Sequence, residues 1–252
     1  MALLSGRAHC VHAHYRLSWY LLRGYSGPME ATQRVSPPTV PADHPGVNEL
    51  FSLLAYGEVA AFYRLTDEAR MAPDLRGRIN MARMAAAEMG HYDLVRDTLE
   101  ARGVDALAAM ARYAPALEQY HRLTMPSTWL EALVKTYVGD AMAADLYGAI
   151  ASSLPDEVAD VVRAVLAETG HSQFAVAEVH SAVTASSRQR SRLALWSRRL
   201  LGEAITQAQY VMADHDELVD LVLVGGGLGQ LTDFFDRLQR THDERMRQLG
   251  LA

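Results

Sequence analysis

Cysteine is almost absent from this chain of 252 residues: a single thiol, Cys10, excludes an internal disulfide framework. It fits a reducing compartment, so a cytoplasmic setting is expected. Long apolar runs are missing as well. The longest, Leu218 to Leu228, is interrupted by Asp220 and ends in glycines, far short of the roughly 20 residues of a membrane span. An excess of positive charge is also lacking: the net charge of −6 excludes a surface coated in cations for nucleic acid, while leaving room for a local basic patch. Acidic residues are lacking up to Gly27, in a stretch that carries Arg7, Arg16, Arg23, Tyr15, Trp19 and Tyr20. An acid-poor start of this kind has the composition of an organellar transit peptide, or of a translation start placed too early, with Met29 the true one. The abrupt change at Met29-Glu30-Ala31-Thr32 favours the second reading. Pro37, Pro38, Pro41 and Pro45 then make an extended tether. Residues 1–46 are therefore expected to lie outside the fold, and 47–252 to form one domain.

From Gly46 onward strand alternation is absent, and half of the chain is apolar, ample material for one large helical core. A first helix is expected from about Val47 to Arg70 and a second from Pro73 to Ala101, closed by Gly103. A long connection with its own short helical piece, Val104 to Leu123, leads to a third helix over Ser127 to Ser153. Pro155-Asp156 opens a fourth, expected to run unbroken to Ala185. Two more follow, Ser187 to Asp214 and Gln230 to Leu249. Short loop, long crossover, short loop is the connectivity of a ferritin-like four-helix bundle, here with two additional C-terminal helices. The fold class is all-α.

What the chain does have is a repeated motif. Ala87-Glu88-Met89-Gly90-His91 recurs as Ala167-Glu168-Thr169-Gly170-His171. Glu and His three apart lie on one face of a helix, and such a pair from each of two helices, with one carboxylate from each of two others, is the ligand set of a carboxylate-bridged di-metal bundle. Glu58 stands 30 residues before Glu88, and Asp140 stands 28 before Glu168. With 14 Glu and 10 His in the chain, about one half of a Glu-x-x-His match is expected by chance, so the doubled spacing carries the argument rather than either copy. A third copy, Glu118 and His121, lacks an acidic partner one hairpin upstream. Its neighbours Gln119 and Arg122 place it on a solvated face. Around Glu58 the same-face positions are Phe51, Leu54, Ala55, Ala61, Phe62 and Leu65, and an unpaired carboxylate in an apolar stripe favours a cation beside it. The plain alternative is a bundle whose buried Glu and His pair with each other and hold no metal.

The third helix offers Glu131, Asp140 and Asp145. Leu133, Tyr137, Ala143, Ala144 and Tyr147 share the face of Asp140, leaving room for a metal. Glu131 is about 180° round the helix, and Asp145, about 140° away, is the second choice. Tyr137 and Tyr147 are then near the metals as packing or hydrogen-bonding groups, and Tyr56 and Tyr92 are read in the same way.

Over roughly residues 47–250 the pattern Glu58, Glu88-Met-Gly-His91, Asp140 and Glu168-Thr-Gly-His171 resembles the ferritin-like di-iron carboxylate superfamily. Within it the chain looks closest to the tRNA hydroxylases that oxidise the isopentenyl side chain of a modified adenosine, through features such as Val138-Gly139-Asp140 and the extra helices. Asp140 stands where these families commonly place Glu, one methylene longer. The resemblance implies two iron ions, or manganese as the other hard metal, with dioxygen and a separate electron donor, inserting oxygen into an unactivated carbon–hydrogen bond. Arg188, Arg192 and Arg199, the concentrated basic stretch of the folded part, fall along one helical face and are the candidate grip on tRNA phosphates; the plain alternative is a solvated face. Two other function classes remain: an oxygenase for a small molecule or lipid chain, and a non-catalytic iron-binding bundle.

Overall fold

The computed structural model of the protein describes residues 40–167, 172–223 and 228–252. The expectations for residues 1–39, and those for Glu168 and His171, lie outside the described residues. Among the described residues there are ten helices and no strand: α1 Pro45–Ala69, α2 Leu75–Ala101, α3 Ala106–Ala111, α4 Ala114–Leu123, α5 Trp129–Ala151, α6 Asp156–Val165, α7 Ser172–Ala185, α8 Ser187–Asp214, α9 Asp216–Val222 and α10 Leu228–Gln248. None of them is long and apolar enough to cross a membrane.

Helix starts follow local chemistry. Asp74 Oδ1 accepts from the Gly77 amide at 2.8 Å to cap α2, and the side chains of Thr128 and Ser186 cap α5 and α8 through the Glu131 and Gln189 amides. Glu131 also turns back to accept from the Ser127 amide at 2.7 Å, a reciprocal arrangement close to a capping box. Gly103, at φ 75°, ends α2 in the left-handed conformation that a glycine takes without strain.

Three boundaries differ from expectation. The connection after α2 contains two short helices, because the chain turns at Arg112 and Tyr113 and restarts with Pro115 in the first turn of α4. The fourth bundle helix is in two parts: α6 ends at Val165, where Leu166 caps back onto the Val162 carbonyl, and α7 resumes at Ser172. Three helices, not two, follow the bundle, since His215 leaves helical geometry at φ −137° and Asp216 and Glu217 then favour a new N-terminus.

Two apolar clusters fill the interior. One gathers Leu50, Phe51 and Leu54 of α1 with Val95 and Leu99 of α2, Ile150 of α5, α6 and Leu221 of α9. The other gathers Leu65, Met81 and Met84 with Leu133 and Val138 of α5, Val179 of α7 and Leu200 of α8. On α1, α2 and α5 alike, the change from one cluster to the other falls at the level of Glu58, Glu88 to His91, and Asp140. Polar side chains at that level meet space rather than a packed core.

Candidate metal centre

Glu58 of α1 faces Glu88 and His91 of α2 across the first hairpin. The Nδ1 atom of His91 stands 3.3 Å from Glu58 Oε2 and 3.2 Å from Glu88 Oε2. One potential donor atom from each residue lies within 4.8 Å of the others, and among the described residues this is the group able to hold a metal ion. All three side chains are largely buried. Burial pushes Glu58 well above the carboxylate range, with the neighbouring Glu88 adding to the effect and His91 opposing it. Burial would raise Glu88 too, but His91, the hydrogen bond with Glu58 and the Arg64 charge hold it below its ordinary value. The two carboxylates raise His91 to about 10. A proton on the imidazole thus sits between two oxygens, where a cation would find the same negative field.

The cluster opens on a cavity of about 900 Å³, whose wall also carries Asp140, Tyr137 and Tyr147. Asp140 keeps an exposed face on this wall, yet the protein around it raises its carboxyl to about 7 while Arg64 opposes the rise. The other acids of α5 are engaged elsewhere. Asp145 makes a two-pronged pair with Arg245 of α10, one limb at 2.7 Å, and Glu131 pairs with Arg192 at 2.9 Å. Glu168 and His171 are not among the described residues, although Leu166, Ala167, Val176 and Ala177 on either side line the cavity. The structure therefore brings Glu58, Glu88 and His91 together and sets Asp140 on the same cavity.

The tyrosines divide. Tyr147 is buried, its hydroxyl pushed up by burial and by the Glu58 charge. Tyr137 donates to Gln248 Oε1 at 3.0 Å, Tyr56 donates to Glu118 at 2.7 Å, and Tyr92 lies under the Arg96 guanidinium.

His121 is not on a solvated face. It lines the cavity with its Nδ1 buried and without a hydrogen-bond partner, and burial, aided by Arg64 and Lys135, drives its pKa down to about 2. The i, i+3 spacing to Glu118 misleads here because Glu118 turns to Tyr56 while His121 turns inward. Nor does the sequence point to the group beside it: Arg64 NH1 reaches Glu68 Oε2 and Thr136 Oγ1, each at 2.9 Å, and Lys135 Nζ stands 3.6 Å from Glu68 Oε1. Arg64 and Glu68 are one helical turn apart, which is a readable signal; Lys135 arrives from another helix.

Of the three candidate arginines among the five on α8, all exposed, Arg192 is held by Glu131, and Arg199 donates to the Leu123 carbonyl and lies over the Trp196 ring. Arg188 carries its charge at the surface.

The donor set is hard: carboxylate oxygens and an imidazole nitrogen suit iron or manganese rather than metals that prefer sulfur. The geometry fits such an ion, because the donors already converge and share a proton that it would displace. A comparison with protein families finds that the family described as "Ferritin-like domain, actinomycetes" matches residues 42–226. No curated protein matches the chain.

Proposed function

Because the chain belongs to the ferritin-like domain family of actinomycetes, we propose that the protein is a di-iron, oxygen-dependent hydroxylase acting on an apolar chain that enters the cavity. The observation that carries this reading is the convergence of Glu58 and Glu88 on the Nδ1 atom of His91 at the wall of a large cavity. A buried metal site used only for structure would be closed around its ligands, whereas this one fronts space for a substrate.

In this reading Glu58, Glu88 and His91 hold one half of the centre and Asp140, Glu168 and His171 the other. Two irons bound there would supply the electrons that activate dioxygen. The reaction class consumes dioxygen, two electrons from a separate donor and two protons, and yields an alcohol and water. The chain's own contribution is positioning and exclusion of water. Leu54, Met84, Met142 and Phe235 on the cavity wall keep a reacting carbon dry. Tyr147 orders the side of the cavity next to Glu58.

The test is metal content and the optical spectrum after iron loading. Two irons per chain are expected, falling sharply in a His91→Ala, His171→Ala double variant and unchanged in His180→Ala, whose side chain is exposed. Well under one iron per chain would end this reading; two irons with no oxygen-dependent product from any apolar chain would favour a non-catalytic iron-binding protein.

A tRNA side chain is the second reading, supported by the exposed Arg188, Arg192 and Arg199. Replacing all three by Gln should reduce the salt dependence of tRNA binding by about one unit of slope for each lost phosphate contact. Full tRNA affinity in that variant, or no salt-sensitive binding in the parent, would remove tRNA as the substrate.

A further inference from the structure

The cavity has a second polar region, which the metal ligands leave unused. Arg64, Tyr120, His121 and Lys135 line it. Lys135 is the only lysine in the chain, and its side chain is 2% exposed. Such placement is rare unless the charge is matched. Arg64 is matched, by Glu68 and Thr136. Lys135 has only a share of the same carboxylate: its Nζ stands 3.6 Å from Glu68 Oε1, an ion-pair distance too long for a hydrogen bond, and the nearby Tyr120 ring is 5.8 Å away. Beside them His121 Nδ1 is buried and unpartnered. Burial lowers Lys135 only to about 8, so it is mostly protonated at neutral pH.

Two cations here face one carboxylate, Glu68. Asp140, the other acidic neighbour of Arg64, belongs to the metal centre. One positive charge is left over in a poorly solvated place, a costly arrangement without an anion. Most of the remaining wall, including Leu53, Val176, Met212, Phe234 and Leu238, is apolar; its exceptions include Tyr137, Gln207, Gln248 and Arg245, which is neutralised by Asp145. A cavity of about 900 Å³ lies within the range of ordinary ligand pockets, roughly 300–1,000 Å³. An occupant that answers both regions has an anionic head and an apolar body. A single surplus charge matches a carboxylate better than a phosphate monoester, which carries about −1.5 to −2 at neutral pH.

We propose that the cavity binds a medium- to long-chain carboxylate, its head on Lys135 and its chain along the apolar wall. That this molecule is the substrate rests on the hydroxylase reading above; that it binds does not.

The experiment is calorimetric titration of metal-free, full-length protein at pH 7 with dodecanoate, dodecanol and dodecyltrimethylammonium. Removing metal ensures that any preference for the carboxylate comes from the protein's cations. Dodecanoate is expected to bind at least ten-fold more tightly than dodecanol, a difference of about 1.4 kcal/mol, and the cationic amphiphile more weakly than either. Lys135→Met should abolish the preference for dodecanoate while keeping dodecanol binding, and Lys135→Arg should restore it. Equal affinities for carboxylate and alcohol in the unaltered protein would overturn the proposal. That comparison needs no variant, so it decides the matter even if Lys135→Met does not fold. A preference that survives in a folded Lys135→Met protein would overturn it too. Iron content, measured separately, tests the hydroxylase reading: a chain that binds two irons but shows no preference for dodecanoate refutes the carboxylate site alone.

Discussion

His121 offers a clean measurement of what burial does to this cavity wall. Enclosure, with Arg64 and Lys135 nearby, takes its pKa from an ordinary 6.5 to about 2. In the folded protein the ring therefore stays neutral across the mildly acidic range, while in the unfolded chain it takes up a proton below pH 6.5. The unfolded state binds more protons there, so stability falls as pH falls through 6.5 toward 2. At pH 5.0 the ring is 1.5 units below its ordinary value, and at about 1.4 kcal/mol per unit this is about 2 kcal/mol. That figure is a ceiling, because the accessible side of the ring faces the cavity and water there would stabilise the charged form. Glu58 and Asp140, both raised by burial, titrate over the same interval with the opposite sign, and they do so equally in a His121→Gln variant. Urea unfolding of metal-free protein and variant at pH 7.5 and 5.0 isolates the histidine: the parent should lose up to about 2 kcal/mol more than the variant on acidification. Equal losses would refute the placement of a neutral, buried imidazole.

Other outcomes follow from the packing and the charges. A Cβ on Gly46 would lie 2.3 Å from the Glu217 carbonyl oxygen and 2.8 Å from Leu221 Cβ; Gly46→Ala should destabilise by about 1–3 kcal/mol in thermal or urea unfolding, through a forced separation of α1 and α9. Because Glu58 and Glu88 raise His91 to about 10, manganese(II) added to weakly buffered protein at pH 7.5 should release protons, and its apparent affinity should fall as the pH is lowered, with fewer protons released per bound ion in His91→Ala, where the raised Glu58 is the remaining source. Asp140→Asn should lower iron content and leave the metal-free protein as stable or more so, since it removes a carboxylate whose charge the surrounding protein disfavours. Asp145→Asn should do the reverse, keeping iron and losing about 1–2 kcal/mol with the Arg245 pair; iron loss in Asp145→Asn would exchange the two assignments.

The fold was legible where its determinants are local. Asp74, Thr128 and Ser186 cap the helices they precede, and the positions read as inward around Glu58, Phe51, Leu54 and Leu65, are buried. Misplaced boundaries lie where tertiary packing decides. Asp156 to Ala185 reads as one helix because apolar periodicity persists on both sides of Thr169-Gly170, and α9 falls between Asp214 and Gln230, where no helix is expected because seven residues carry too little periodicity to stand out. The Glu58, Glu88 and His91 cluster could be read because an i, i+3 pair and one hairpin define it. His121 could not, since the same spacing serves a pair that diverges, and the direction of each side chain is set by Tyr56 and by the cavity.

Distance along the chain explains why the cation group stayed hidden. Arg64 and Lys135 are 71 residues apart, and neither belongs to a motif; each alone reads as a surface charge on an amphipathic helix. Their meaning arises only when α1 and α5 bring them to one wall with a single carboxylate between them. The acids of α5 show the complementary effect. Arg192 takes Glu131 and Arg245 takes Asp145, so arginines from the helices that follow the bundle neutralise two of the three, while Asp140 keeps an arginine neighbour, Arg64, that is already committed to Glu68. Those later helices therefore do more than cover the bundle: by engaging the competing carboxylates they leave Asp140 available to the cavity. The same distribution leaves Lys135 sharing one carboxylate with Arg64, so the candidate metal ligands and the opposite polar region follow from one placement of charge across α1 and α5.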